Sequence, residues 1–343
     1  MALYPKLHQP DDLPCPWPRL IWAATTMGKR GPRAVVRWQA RFGAYARSEM
    51  VYRSHILYAN LMSERGTNSL LRSAAYRELE QTEKAAVSFF LGMTMAKLLA
   101  AAYVNTPWLT HLKPFERDYP CRLVFTPRNT NRRPDLIGIT RGMPHRWIVG
   151  EAKGRTDVHA SGGMGILLND AKTQARVVRS ISSRNGKKLT PPHLYFASIF
   201  SPTNRAITPP MELNWIDPEP DEDARLDFTF EVGDFMEHYY RPFVDLLGAN
   251  HDDTRITDVN GQEFRILSLP DADIKVGLPV TVERAWLEGR YEEIPGALTI
   301  ADGGANSESE GSDPSLYVGP DGILIQVGTQ WSDEAMEHDV YER

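Results

Sequence analysis

Two acidic residues and one lysine lie beside short apolar segments in the middle of the chain. Asp135 directly precedes the segment Leu136–Ile139, and Glu151 and Lys153 follow the segment 146–150. Because successive side chains of a strand point to opposite faces, we expect Glu151 and Lys153 on the same face. If the two segments pair as a hairpin, Asp135 approaches Glu151 at the edge of the sheet.

This set of residue types is suited to phosphodiester hydrolysis. Two converging carboxylates bind a hard divalent cation such as Mg²⁺, for which Mn²⁺ is a possible substitute. A lysine beside the cation is suited to orient the attacking water and to neutralise charge that develops on a phosphate. An alternative interpretation is that Glu151 and Lys153 form a surface ion pair while Asp135 starts a turn.

The elements around these residues predict a mixed α/β sheet with a helix on each side. Helix formers without proline run through residues 73–104, and a loop marked by prolines follows at 105–120. Short apolar runs between turn residues then predict three strands, at 121–125, 136–139 and 146–150. A helix over 169–181 and a strand over 193–200 complete the order.

The motifs Pro134-Asp135 and Glu151-Ala152-Lys153 resemble the signature of the PD-(D/E)XK nuclease superfamily, which has the restriction-endonuclease-like fold. The resemblance covers about residues 75–200 and includes the order helix, three strands, helix, strand. It implies a metal-dependent endonuclease in which Asp135 and Glu151 bind Mg²⁺ and Lys153 positions the attacking water.

The resemblance also implies two further site residues. The first helix of this family often supplies another acidic residue to the metal site, and the best match is Glu83. That residue has helical spacing from three apolar residues, Leu79, Ala86 and Val87. Glu80 is the competing candidate, and Glu78 matches less well. Many members carry a glutamine or a basic residue in the helix after the lysine strand, a place that Gln174 occupies.

Charge is distributed very unevenly along the 343 residues, although the net charge is only −5. Residues 1–210 hold 31 basic and 13 acidic side chains, and residues 211–343 hold 8 basic and 31 acidic ones. The basic part fits a polyanion, and with the resemblance it predicts DNA as the partner, without excluding RNA. Arginines close to the motifs are expected to contact phosphates: Arg132, Arg133, Arg155, Arg176 and Arg179. The alternative is two solvated surfaces of unequal charge.

The acidic part is expected either to dock a protein partner or to lie over the basic face of the same chain. Only Cys15 and Cys121 are present, which excludes a disulfide scaffold and a zinc site built from cysteines. No apolar run approaches the ~20 residues of a membrane span, and the start does not resemble a signal peptide. We therefore expect a soluble, cytoplasmic protein.

The sequence predicts five regions: a basic, largely helical region at 1–72, a nuclease-like core at 73–210, an acidic α+β region at 211–300, a flexible linker at 301–315, and a hairpin with an acidic tail at 316–343. The helix expected over about 33–60 carries arginines among aromatic residues. That pattern is typical either of an amphipathic helix or of a nucleic-acid surface.

The function expected from these features is that of a DNA endonuclease, of the kind found in bacterial restriction or anti-phage systems. A homodimer is plausible, because a double-strand cut usually needs two such centres. Two other hypotheses remain. One is a subunit that keeps the fold and binds nucleic acid or assembles without catalysis, and the other is a toxin that cleaves RNA.

Overall fold

A computed structural model describes residues 15–27, 39–63, 70–119, 124–125, 134–142, 145–155, 164–175, 177–182, 188–189, 193–200, 211–214, 226–298 and 315–332. The fold is mixed α/β, as predicted. The chain divides into two compact units, and the described part of Ala59–Phe230 belongs to the first. The second combines Cys15–Tyr58 with Glu231–Met336. It thus joins an early segment to the acidic end, which the sequence does not reveal.

The helices in the described residues are α1 (Trp17–Thr26), α2 (Gln39–Asn60), α3 (Ala74–Glu78), α4 (Gln81–Tyr103), α5 (Leu112–Asp118), α6 (Met164–Ala175), α7 (Val232–Ala249), α8 (Val280–Leu287) and α9 (Ile294–Ala297). The strands of the first unit are β1 (Leu61–Ser63), β2 (Leu70–Arg72), β3 (Trp108–His111), β4 (Val124–Phe125), β5 (Leu136–Ile139), β6 (Trp147–Arg155), β7 (Val178–Ser182), β8 (Lys188–Leu189), β9 (His193–Phe200), β10 (Met211–Asn214) and β11 (Leu226–Thr229). Those of the second are β12 (Thr254–Val259), β13 (Gln262–Leu269), β14 (Ile274–Pro279), β15 (Leu316–Val318) and β16 (Leu324–Val327).

The central sheet of the first unit has the strand order β10-β9-β6-β5-β3. Strands β5 and β6 form the predicted antiparallel hairpin, with Leu136 opposite Gly150. Strand β9 lies parallel to β6 on its other side and brings Tyr195 into register with Glu151. The hairpin and the strand at 193–200 are therefore confirmed, and β6 continues beyond the prediction to Arg155.

Helices α4 and α6 pack on opposite faces of β6. A methyl group placed on Gly154 would lie 1.9 Å from the Ser88 carbonyl oxygen in α4. The neighbouring Lys153 instead contacts Gln174 of α6. Because adjacent residues of a strand face opposite sides, the two contacts assign the two helices to different faces.

Helix α4 is the one described helix that is long and apolar enough to cross a membrane, by length and composition alone. Its most apolar 18-residue window has a mean hydropathy of 1.7, and 61% of that window is buried. The expectation that no segment reaches this length and hydropathy is thus wrong for α4. Core helices that are mostly buried also meet this criterion.

The long helix predicted over 73–104 is in fact two helices. Ser73 begins α3, because its side chain accepts a hydrogen bond from the Tyr76 N–H at 3.1 Å. The chain is extended at Leu79 and Glu80, and α4 then begins with a capping box between Glu80 and Glu83. The predicted helix is therefore interrupted at Leu79 and Glu80, and a second N-cap starts α4.

The loop predicted at 105–120 contains β3 and α5. Trp108, Leu109 and Thr110 are buried and pair with β5. Pro114 lies in the first turn of α5, where a proline does not remove an intrahelical hydrogen bond. The prolines thus mark the start of a helix rather than an irregular loop.

The helix predicted over 169–181 is correct only to Ala175. Residues Val178–Ser182 form β7, which pairs in parallel with β11, and both Val178 and Ile181 are buried. The strand predicted at 121–125 is described at Val124–Phe125 and also belongs to this second sheet, of order β4-β11-β7-β8. The place beside β5 that was expected for the strand at 121–125 is occupied by β3.

The second unit contains an antiparallel sheet of order β12-β13-β14-β16-β15. The five prolines between Pro5 and Pro18 predict an irregular course for residues 1–20, but α1 begins at Trp17 with Pro18 in its first turn, and all its residues are buried. The hairpin predicted near 316–331 is confirmed as β15–β16. The sequence pattern that ends at Gly248 predicts a helix over 235–247, and this helix is confirmed within α7. The helix predicted over 33–60 is confirmed from Gln39 onward. The linker expected at 301–315 lies outside the described residues except for Ser315.

Candidate active site

Glu151 is the centre of the candidate site and has no exposed surface. Its Oε2 accepts a hydrogen bond from the main-chain N–H of Asp135 at 2.9 Å. Its Oε1 lies 2.6 Å from Lys153 Nζ, in an ion pair whose lysine side chain is 17% exposed. The hairpin thus brings together the three residues predicted from the two motifs. The ion pair is buried on its acidic side rather than lying on the surface.

Gln174 of α6 completes this cluster. In the amide orientation that satisfies both neighbours, its nitrogen donates to Glu151 Oε1 at 2.8 Å and its oxygen accepts from Lys153 Nζ at 2.8 Å. The lysine ammonium is therefore held by a carboxylate and by an amide that itself bonds to the same carboxylate. The sequence placed Gln174 only in the helix after the lysine strand, and the structure brings it into contact.

The surroundings of the Asp135 and Glu151 carboxyl groups disfavour the state in which both are ionised. Burial, followed by the nearby Asp135, raises the pKa of Glu151 to about 7, against its ordinary value of 4.5, and Lys153 offsets part of this effect. Burial also raises the pKa of Asp135 above its ordinary value, again partly offset by Lys153. A cation at this position would relieve both effects.

Asp135 and Glu151 are the residues that fit a divalent cation. Both supply carboxylate oxygens, which hard cations prefer, and burial raises the pKa of each carboxyl group despite the nearby Lys153. Within the part of the chain that the structure describes, no group of three or more His, Cys, Asp and Glu side chains is assembled for a metal ion. The donor set in this part of the chain is therefore the pair rather than the expected three acidic residues.

Glu83 does not join the pair, which corrects the expectation of a buried acidic residue on α4. Glu83 is exposed, and its Oε2 accepts a hydrogen bond from the Glu80 N–H at 3.0 Å. Helix α4 also packs on the Gly154 face of β6, away from Lys153 and Glu151. The role of Glu83 in this structure is to cap a helix.

The alternative candidate Glu80 has the reciprocal capping role. Its Oε2 accepts a hydrogen bond from the Thr82 N–H at 2.7 Å, and this bond lowers the pKa of its exposed carboxyl group. Glu80 and Glu83 have the three-residue spacing of a capping box, which usually begins with Ser or Thr. This spacing was the one sequence signal for their capping role.

Among the arginines expected to contact phosphate, Arg155 is exposed at the end of β6. It is two residues beyond Lys153 and therefore shares its face of the strand. The backbone of Arg179 lies in β7. Arg132, Arg133 and Arg176 lie outside the described residues.

A close backbone contact behind Lys153 was not anticipated. Gly92 of α4 lies against Gly154 of β6, so that a methyl group on Gly92 would be 2.6 Å from the Gly154 N atom. In the sequence, Gly92 stands out only as the single glycine of a long helix. Gly154 follows the Glu-x-Lys motif directly, which was the one available signal.

Comparison of the chain with protein-family models, with curated proteins and with solved structures finds no match.

Proposed function

We propose that this protein is a metal-dependent nuclease that hydrolyses phosphodiester bonds, with DNA as its substrate. The observation that carries the proposal is the cluster of Asp135, Glu151, Lys153 and Gln174, in which both carboxyl groups have raised pKa values. A carboxylate pair, in which Glu151 is buried and Asp135 half-buried, a lysine and an amide on one sheet face supply the groups that this hydrolysis requires.

The arrangement of elements supports a restriction-endonuclease-like core. Helix α4, strands β3, β5 and β6, helix α6 and strand β9 follow one another in the order helix, three strands, helix, strand. The four strands are neighbours, with β3, β5 and β6 antiparallel and β9 parallel to β6. Insertions such as β4 and β7 belong to the other sheet of this unit.

In the proposed mechanism, Asp135 and Glu151 would hold Mg²⁺. The bound cation would lower the pKa of a water molecule and stabilise negative charge on the phosphate. Lys153 orients the attacking water and places its positive charge beside the phosphate oxygens. Gln174 holds the lysine through its amide oxygen, which limits the conformations available to the ammonium group before substrate binds.

The basic composition of residues 1–210 supports a polyanionic substrate, and the exposed Arg155 extends the basic side of the site. The chemistry of the cluster acts on a phosphate that DNA and RNA both contain, and the choice of substrate is tested by the cleavage assay below. A soluble, cytoplasmic protein of a bacterial defence system, acting as a homodimer, remains part of this proposal. Its acidic end would then contact a protein partner or the basic face.

The decisive test is a cleavage assay with wild-type protein and the Lys153→Ala variant. Supercoiled plasmid, linear duplex, single-stranded DNA and RNA are each incubated with Mg²⁺, Mn²⁺ or EDTA. The matched control is Lys275→Ala, which removes the same charge from an exposed position of β14. We expect DNA cleavage that requires the metal, is lost in Lys153→Ala and persists in Lys275→Ala.

Other outcomes select other hypotheses. Cleavage of RNA alone would replace the DNA substrate and favour a toxin. Nucleic-acid binding without cleavage, equal in wild type and Lys153→Ala, would favour a binding subunit that only retains the fold. Cleavage that survives in Lys153→Ala at the wild-type rate would exclude this cluster as the active site.

A further inference from the structure

The backbones of α4 and β6 touch directly behind the candidate active site. A methyl group on Gly92 would lie 2.6 Å from the Gly154 N atom and 3.3 Å from the Lys153 carbonyl carbon. From the strand side, a methyl group on Gly154 would lie 1.9 Å from the Ser88 carbonyl oxygen and 3.0 Å from Gly92 Cα. We name these two residues the glycine contact. Neither position has room for a side chain.

The atoms that enclose the glycine contact are backbone atoms, which cannot rotate away as a flexible side chain can. Strand β6 is also held on both edges, by β5 and by β9. A methyl group at Gly92 would therefore displace helix and strand relative to each other by several tenths of an ångström to about 1 Å. The displacement acts on the backbone of Lys153 itself.

The opposite side of the same strand segment carries the site. Lys153 and Glu151 each lie 2.8 Å from Gln174 of α6 there, and Lys153 Nζ lies 2.6 Å from Glu151 Oε1. Hydrogen bonds of this length are lost after a shift of about 1 Å. The distance between α4 and β6 thus determines whether the Lys153 ammonium contacts the Glu151 carboxylate and the Gln174 amide at the same time.

We infer that Gly92 is a positioning residue for Lys153, although it lies on the face of the sheet away from the chemistry. The inference rests on the proposed function, because an error in the position of Lys153 would change the rate of phosphodiester cleavage. An error of about 1 Å in the position of a catalytic group is able to lower a rate about 100-fold. Gly92→Ala is therefore expected to lower kcat by about 10- to 100-fold and to leave KM nearly unchanged.

The variant has a matched control. Gly248 lies near the end of α7 in the second unit, and a methyl group there would meet nothing within 4 Å. Both substitutions replace a helical glycine by alanine, the residue with the higher helix propensity. Only Gly92→Ala acts on β6, so Gly248→Ala is expected to keep the wild-type kcat.

The test measures cleavage and, independently, the environment of Lys153. Protein labelled with ¹³C at lysine Cε gives a signal for Lys153 that is assigned by its loss in Lys153→Arg. In folded Gly92→Ala, we expect this signal to move toward those of exposed lysines, because the contacts to Glu151 and Gln174 lengthen. Gly248→Ala is expected to leave it in place.

Each outcome decides the inference. An unchanged Lys153 signal in folded Gly92→Ala would overturn it, and so would failure of that variant to fold, since the contact would then serve stability. If wild-type protein cleaves no substrate, the proposed nuclease function fails. The lysine signal still decides whether Gly92 positions Lys153.

Discussion

The main-chain N–H of Asp135 donates a hydrogen bond to the Oε2 of Glu151, which lies in the neighbouring strand. One acidic residue is thus held by the carboxylate of the other, while Glu151 Oε1 contacts Lys153. The hairpin register, with Leu136 opposite Gly150, places the donor and the acceptor beside each other. Geometry and electrostatics of the pair are therefore separable by mutation.

Asp135→Asn is expected to remove one carboxylate without disturbing this hydrogen bond, because the donor is a backbone group. We expect Mg²⁺ affinity to fall at least tenfold, and the pKa of Glu151 to fall below about 7 since a neighbouring negative charge is lost. Isothermal titration calorimetry and a ¹³C titration of the Glu151 carboxyl group measure the two effects. A Glu151 pKa that stays at about 7 would contradict this account.

Mg²⁺ binding is expected to weaken as the pH falls below about 7. Between pH 4.5 and about 7, folded Glu151 retains a proton that the unfolded chain has lost, so the unfolding free energy of the cation-free protein decreases as the pH rises through this window. A cation must displace that proton, so its stabilising effect grows over the same window. The rise in Tm on adding Mg²⁺ should be larger at pH 8 than at pH 6. In Glu151→Gln, the difference between the two pH values should disappear.

Gln174→Leu is expected to lower kcat about tenfold, the effect of losing about 1.4 kcal/mol of positioning through hydrogen bonds. Single-turnover cleavage kinetics measure the change. Thr173→Ala is the control, because Thr173 is exposed on the same turn of α6. Equal rates for Gln174→Leu and wild type would show that the amide does not position the lysine.

Glu83→Ala is expected to leave cleavage within twofold of wild type. The substitution removes half of a capping box, which costs about 0.5–1 kcal/mol of unfolding free energy. Urea denaturation and the plasmid assay separate the two effects. Loss of cleavage with unchanged stability would instead restore Glu83 to the metal site.

Arg155→Ala is expected to weaken DNA binding and to reduce the slope of log Kd against log salt concentration by about 1, as for the loss of one phosphate contact. Fluorescence anisotropy at several salt concentrations measures the slope. Arg255→Ala, which removes an exposed arginine from β12 of the second unit, provides the matched control. An identical slope in both variants would remove Arg155 from the DNA-binding surface.

The central part of the site was predictable because its constraints are local. The period of two along a strand was enough to place Glu151 and Lys153 on one face. The approach of Asp135 was expected only if the two apolar runs paired as a hairpin, and they do. Gln174 required the family resemblance, because its contact depends on how α6 packs. Local sequence patterns thus account for the positions of Glu151 and Lys153, whereas the position of Gln174 depends on tertiary packing.

The errors have a common physical cause, since tertiary burial decided segments whose local signals were ambiguous. Val178 and Ile181 fit a helix by spacing, but both are β-branched and are buried in β7. Prolines near Trp17 and Trp108 hid a helix and a strand whose side chains are buried. Glu83 differs, because its capping partner Glu80 was visible three residues earlier.

The second unit has a consequence for the order in which the protein matures on the ribosome. Trp22 of α1 donates a hydrogen bond to Asp321 at 2.8 Å, across 299 residues of sequence. The intervening segment Ala59–Phe230 belongs to the other unit and takes on the order of 10 to 30 s to synthesise. During that time α1 lacks the strands β15 and β16 against which it packs. The apolar side chains of α1, Trp22 among them, therefore lack these packing partners during most of the synthesis of the chain.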